Sequence, residues 1–246
     1  MIRNGVTITP ADEPGTGKHS LRDFGLWIQN TDCIGDPVLF TQYVTVPGRS
    51  GFLDLSEVIA GRPVFESRPI HIELSGFKDP FSWDGFVSSM RNAYNGKRVT
   101  LVFDNDPSWY WIGRAEITGF QRERSKGTVT LSIPHADPYK YYYVSTTEPW
   151  LWDPFSFTDG ICAQLSNRTV SGTAAIRVPQ SDAPVVPQIT VSSLTGTLTV
   201  SANGMTHTVT ANGTYYWPDF ILYSNYDTIT FSGNATVSIT YRKGSL

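Results

Sequence analysis

The stretch "TVPGRSGFLDLSEVIAGRPVFESRPIHIEL", residues 45–74, decides how the first half of the chain folds. It joins two alternating apolar runs through Gly48-Arg49-Ser50-Gly51, a four-residue segment with the permissive backbone of a tight turn. Upstream, "VLFTQYVTVPG" alternates through Phe40, Tyr43 or Val44, and Val46, and "FLDLS" continues beyond the turn. Gly61-Arg62-Pro63 breaks the run, since Pro63 has no N–H to give to a ladder. "RPIHIELSG" then reads as a strand, with Ile70, Ile72 and Leu74 on one face and His71 and Glu73 on the other. The stretch therefore predicts a long exposed hairpin, with Arg49 and Arg62 at its turns, running into a half-buried strand.

Working outward, the period changes once. In "DPFSWDGFVSSMRNAYNGKR" the apolar residues Trp83, Phe86, Val87, Met90 and Tyr94 share one helical face. The helix is predicted at about residues 80–94, capped by Asp79 or Ser82 and stopped by Asn95-Gly96. Strands resume in "RVTLVFD", "WYWIGRAEITGFQRE" and "GTVTLSIPHADPYKYYY", the last two joined by Ser125-Lys126-Gly127. After Tyr143 the texture shifts to Trp, Phe, Pro, Thr and Ser, and from residue 189 the chain is short alternating runs. Asn203-Gly204 and Asn212-Gly213 are hairpin signals. The expected fold is mainly β, with two β-sandwich-type domains. The first, 1–143, holds the one helix and the protruding hairpin, and the second is 144–246.

Composition narrows the function. The chain has 246 residues, of which 40% are hydrophobic and 13% aromatic, with a formal charge of -3. That supports packed cores and large contact surfaces. It disfavours nucleic acid as the main partner, which would require a concentrated positive field. No run approaches the roughly 20 apolar residues of a membrane span, so no membrane insertion is expected. "MIRNGVTITPADEPG" lacks the apolar segment of a secretion signal, which points to a soluble chain made in the cytoplasm. The Asn-x-Thr triplets at Asn167, Asn212 and Asn234 are then chance matches.

The candidate chemistry is thin. Cys33 and Cys162 form neither a CxxC pair nor a metal spacing, and read as buried thiols unless the fold joins them. Asp104 and Asp106 in "DNDPSWYWIGR" could be an acid/base pair or calcium ligands. An EF-hand loop begun at Asp104 would place Trp109 and Ala115 where Gly and Glu are required, so a β-turn through Pro107 is expected instead. His19, His71, His135 and His207 have no partners at ligand spacing. Phosphate-loop, zincin and nucleophile-elbow motifs are missing, so no cofactor, metal or catalytic residue is expected. Tyr139, Tyr141, Tyr142, Tyr143, Trp150, Trp152, Phe155 and Phe157 could stack on sugars or pack a junction. Tyr215, Tyr216, Trp217, Phe220, Tyr223 and Tyr226 pose the same choice. Trp217, Tyr215 and Tyr223 are the candidate contact aromatics, although most of Tyr215, Trp217, Phe220 and Tyr223 are expected to be substantially buried and any sugar affinity weak.

The order of segments carries a resemblance. "VPGRSGFLDLS", "RPIHIEL", the helix, "NGKRVTLVFDNDPSWYWIGR" and "GTVTLSIPHADPYKYYY" together resemble the distal tail proteins (Dit) of long-tailed, non-contractile bacteriophages. The matching positions are Gly48, Arg49, Gly51, Leu53, Asp54 and Leu55, then Asp104, Asp106, Pro107, Tyr110, Gly113 and Arg114, then Asp137, Pro138, Tyr139 and Lys140. Ser50 replaces a frequent Asp, and Trp109 and Trp111 enter the aromatic turn. The specific likeness covers about residues 20–143.

The resemblance implies a structural protein in the virion, assembled in the host cytoplasm, that forms a hexameric ring at the tail tip. In such a ring the hairpin is a belt reaching a neighbouring copy, with Gly48, Arg49, Gly51 and Arg62 at the subunit interface. It implies tail-tube and baseplate or fibre proteins as further partners, together with receptor-binding proteins. It also implies a galectin-like or carbohydrate-module-like second domain facing outward. The competing expectation is a tail-associated module that binds host glycans. A glycan hydrolase would need two carboxyls about 5 Å apart if retaining.

Overall fold

The computed structural model describes residues 4–148, 165–223 and 228–246. It is mainly β, with two compact units. One comprises Met1–Asp106 and Tyr110–Pro138, the other Pro107–Trp109 and Tyr139–Leu246.

The first unit contains β1 (Val6–Pro10), β2 (Lys18–His19), β3 (Leu26–Ile28), β4 (Tyr43–Thr45), β5 (Phe52–Asp54), β6 (Arg68–Phe77), α1 (Trp83–Tyr94), β7 (Arg98–Phe103), β8 (Trp109–Arg114), β9 (Glu116–Glu123) and β10 (Lys126–Ala136). Antiparallel strands run in the order β8-β7-β1-β2 in one sheet and β3-β6-β10-β9 in a second. Alternation sets which side chains meet. Val6 and Ile8, Val99 and Leu101, Ile70, Ile72 and Leu74, and Val129, Leu131 and Ile133 share one core with no exposed surface. The helix adds Trp83, Val87, Met90 and Tyr94, the face that the spacing predicts. Ser82 precedes the helix but makes no side-chain cap; its hydroxyl donates to the carbonyl of Asp79 instead, at 2.9 Å. The Trp83 indole N–H donates to the Ser125 carbonyl at 3.1 Å, which ties the helix to the β9–β10 turn.

The second unit contains β11 (Lys140–Tyr142), β12 (Arg168–Arg177), β13 (Gln188–Ala202), β14 (Met205–Val209), β15 (Gly213–Tyr216), β16 (Thr228–Thr240) and β17 (Gly244–Ser245). Its main sheet runs β12-β16-β13-β14, with β15 also on β13. The three long strands are interrupted at one level. Gly172 of β12 lies opposite Gly233 of β16, at φ 75 and 142°, and the ladder between β16 and β13 is irregular around Thr195. The buried positions of β13 switch from Ile189 and Val191 to Leu198, Val200 and Ala202, an odd-numbered jump that only an irregular segment allows. Gly233 has no substitute there, since a Cβ would stand 2.4 Å from the Thr197 carbonyl oxygen.

Residues 139–143, read from sequence with the first domain, belong to the second unit. Lys140 pairs with Ser245 and Tyr141 with Gly244, and the Tyr142 N–H donates to the Lys243 carbonyl at 2.8 Å. The closing segment "VSITYRKGSL" thus serves this unit. Val237 and Ile239 are buried in β16, and the Tyr241 hydroxyl donates to the Pro179 carbonyl at 2.6 Å.

Candidate functional site

The hairpin read from residues 45–74 is present as an arm. Tyr43 pairs with Asp54, Val44 with Leu53 and Thr45 with Phe52. Gly48 and Gly51 both take φ 82°, the left-handed region their missing Cβ permits, and the Arg49 N–H closes the turn on the Val46 carbonyl. Below β4 and β5 the ladder continues through Phe40 N–H to the Val64 carbonyl and Glu66 N–H to the Val38 carbonyl, both at 2.8 Å. A second turn is closed by the Gly61 N–H on the Glu57 carbonyl at 2.7 Å.

The arm buries little of its own apolar surface. Tyr43 is 58% exposed, Phe52 and Val58 are each 70% exposed, and Ile59 is 95% exposed, with Val38, Leu39, Phe40 and Val44 also exposed. An isolated two-stranded hairpin is marginal in water, and contiguous apolar surface of this kind marks an interaction site. Arg49 stands exposed at the tip, whereas Arg62 is half-buried and engaged. Beside the second turn, Asp54, Glu57, Val58 and Gly61 line a notch of about 520 Å³. Asp54 is held below the usual carboxylate range by hydrogen bonds from the Ser56 hydroxyl and N–H, so it stays charged.

A basic cavity of about 400 Å³ lies in the first unit, lined by Ser67, Arg98, Ile112, Gly113, Arg114, His135, Ala136, Asp137 and Pro138. Two motifs that are far apart in sequence meet here, the Gly113-Arg114 that ends β8 and the Asp137-Pro138 that follows β10. The Asp137 N–H donates to the Ile112 carbonyl at 3.0 Å. Arg98 and Arg114 are directly opposite in the β7–β8 ladder. Arg114 donates to the Gly96 carbonyl, while the Arg98 guanidinium has no partner among the described residues. Ser67 and His135 meet at 3.1 Å through the imidazole Nδ1. No sequence pattern announces Arg98, Ser67 or His135 as neighbours, because Arg98 and His135 come from strands of two different sheets and Ser67 directly precedes β6. Beside the cavity, Arg68 is buried under the Trp111 ring at 4.9 Å.

Asp104 to Pro107 forms the expected turn, with the Asp106 N–H on the Phe103 carbonyl at 3.1 Å. Asp104 also has a structural partner in His19. His71 is exposed beside Glu73. Cys33 is half-buried, its thiol pushed up to about 11 by burial and by Asp32 and Glu73; Cys162 lies outside the described residues. Among the described residues no cluster of three His, Cys, Asp or Glu can hold a metal.

In the second unit the expectation that most of these aromatics are substantially buried holds for three of the four. Phe220 is fully buried, Tyr215 and Trp217 are half-buried, and Tyr223 is 38% exposed. A ring stack beside the buried Phe220 covers Tyr215 and Trp217. His207 lies parallel to Trp217 at 4.5 Å, and Tyr215 lies nearly parallel to the same indole at 5.5 Å. The rings cover one another at the edge of the core, with Phe220 6.0 Å from both Trp217 and His207. Asp219 stands 3.1 Å from His207 Nε2, an ion-pair distance without hydrogen-bond alignment. Trp150, Trp152, Phe155, Phe157 and Tyr226 lie outside the described residues.

Comparison with solved structures gives a near-complete match. The Dit protein of phage SPP1, described as a paradigm of the hub adsorption apparatus in phages that infect Gram-positive hosts, superposes with a TM-score of 0.63. The alignment covers 98% of this chain and 99% of that one, at 12% sequence identity. The chain has the fold of Dit. No protein-family model and no curated protein sequence matches it. At such identity the likeness to Dit lies in the backbone architecture, including both units, and not in side chains.

Proposed function

We propose that this chain is a structural protein of a phage tail tip, a distal tail protein that forms a hexameric ring joining the tail tube to the baseplate or fibre apparatus. One observation carries the reading: an arm whose apolar residues are exposed, on a fold shared end to end with a tail-hub protein. An arm of this kind is completed by burial against another copy, where it adds contacts or backbone pairing. Head-to-tail contacts repeated around a ring close on themselves and leave no sticky ends. The protein works by shape and contact, without catalysis, in the virion, after assembly in the host cytoplasm. Gly48 and Gly51 set the arm's tip, and Arg49 and Arg62 contact the neighbouring copy. The second unit, galectin-like in this reading, faces outward toward receptor-binding proteins.

Multi-angle light scattering tests the ring directly. The expected species is about six times the 27.3 kDa chain, with rings visible by negative-stain microscopy. A monomer at every concentration, with no ring in virions, overturns it. The competing glycan-binding reading needs an open ring face, and Trp217 is already stacked against His207 and Tyr215. Binding of the full chain on a glycan array, lost on Tyr223→Ala, would reinstate it.

A further inference from the structure

We infer that the basic cavity of Arg98, Arg114 and His135 is the receptor for the acidic notch of Asp54 and Glu57 on the arm of a second copy of this chain. The inference rests on the ring reading above and specifies which surfaces meet. A head-to-tail contact requires two different, complementary patches on one chain. The first unit carries such a pair. One cavity presents two arginines in direct register, an arrangement in which like charges repel across the strand pair. The other presents two carboxylates beside the exposed Val58 and Ile59.

The chemistry matches in detail. Arg98 is exposed and offers a planar fork of donors, suited to bidentate capture of a carboxylate. Arg114 has one N–H fixed on the Gly96 carbonyl, which orients the rest of its guanidinium. His135 is braced by Ser67, and Asp137, whose carboxylate offsets one arginine charge and leaves the lining with a net positive charge, completes the wall with its backbone N–H on the Ile112 carbonyl. On the opposing side, both hydrogen bonds to the Asp54 carboxylate fall on Oδ1. Oδ2 and the exposed Glu57 carboxylate are left to an incoming guanidinium. The flanking apolar residues exclude water from the contact, and the charge pairs set its register.

A charge swap in the full-length protein tests this. Arg98 and Glu57 are both exposed, so the single variants Arg98→Glu and Glu57→Arg should keep the melting temperature of the dissociated wild-type chain, compared at a dilution where neither assembles. Each should raise the dissociation constant of the assembly at least tenfold by sedimentation velocity. The double variant, with the charges exchanged, should recover most of the loss, and the milder pair Arg98→Ser and Glu57→Gln should weaken assembly less. Wild-type assembly should also weaken as salt rises. If the wild type assembles and the singles do so equally well, or if the swap restores nothing, these surfaces do not meet although the ring stands. If the wild type never assembles, the ring reading itself fails and this contact fails with it.

Discussion

His19 Nε2 and Asp104 Oδ1 lie 2.8 Å apart, joining the strand beside β1 to the turn after β7 across 85 residues of sequence. The imidazole has a fixed tautomer. Its Nδ1 accepts the N–H groups of Leu21 and Arg22 at 3.2 and 3.1 Å, so Nε2 carries the proton and donates it to Asp104. The other carboxylate oxygen accepts the Gly5 N–H at 2.7 Å.

Replacing Asp104 with Ala strands both donors, the buried His19 N–H and the backbone N–H of Gly5. Each buried donor left without a partner costs about 1–3 kcal/mol. Urea unfolding of D104A should show a loss in that range, with Asp104→Asn losing less because its carbonyl still accepts one bond. An unchanged midpoint for D104A would remove the latch from the account of stability.

The arm should be separable from the stability of its unit. The residues of β4 and β5 are exposed or half-exposed and contribute nothing to the core cluster. Replacing residues 43–54 with a short Gly-Ser link should leave the melting temperature within about 2 °C of the dissociated wild-type chain, since contacts absent from the core carry little of the unfolding free energy. The same variant should be monomeric by light scattering. A variant that unfolds would show that the arm packs on its own chain.

Arg68 occupies an inward position of β6, next to Ile70 and Ile72, and is only 5% exposed. Its Nε and one terminal nitrogen have no hydrogen-bond partner among the described residues, and burial holds its pKa below the usual arginine value. Replacing a poorly paired buried charge with an apolar side chain of similar length commonly stabilises a protein by about 1–4 kcal/mol. Arg68→Met should therefore raise the urea midpoint. A fall instead would mean that its stacking on Trp111 outweighs the cost of burying the charge.

Cys33 should be a slow thiol. With its pKa pushed up to about 11, the thiolate is scarce at pH 8, and iodoacetamide should react about 100-fold more slowly than with an unperturbed cysteine. The folded state favours the protonated thiol, so this group's contribution is fully present below the unfolded value of about 8.5. It is lost as pH rises toward about 11. Peptide mapping after timed alkylation measures the rate; labelling as fast as in the urea-unfolded chain would place the thiol in solvent.

The sequence by itself determined the elements whose signal is local. The helix face of Trp83, Val87, Met90 and Tyr94 follows from a period of about 3.6, the inward Ile70, Ile72 and Leu74 from a period of two, and the arm's tip from Gly48 and Gly51. Each depends only on neighbours a few residues away, so composition and spacing suffice. Tertiary structure alone decided the rest. His19 meets Asp104, and Arg98 meets Arg114, through strand register set over dozens of residues, and His135 joins them from a second sheet, none of which a local period encodes. Residues 139–143 join the second unit because their backbone groups find partners in the chain's last residues. Tyr215, Trp217 and His207 stack on one another beside the buried Phe220, an association of separate segments that no local period encodes.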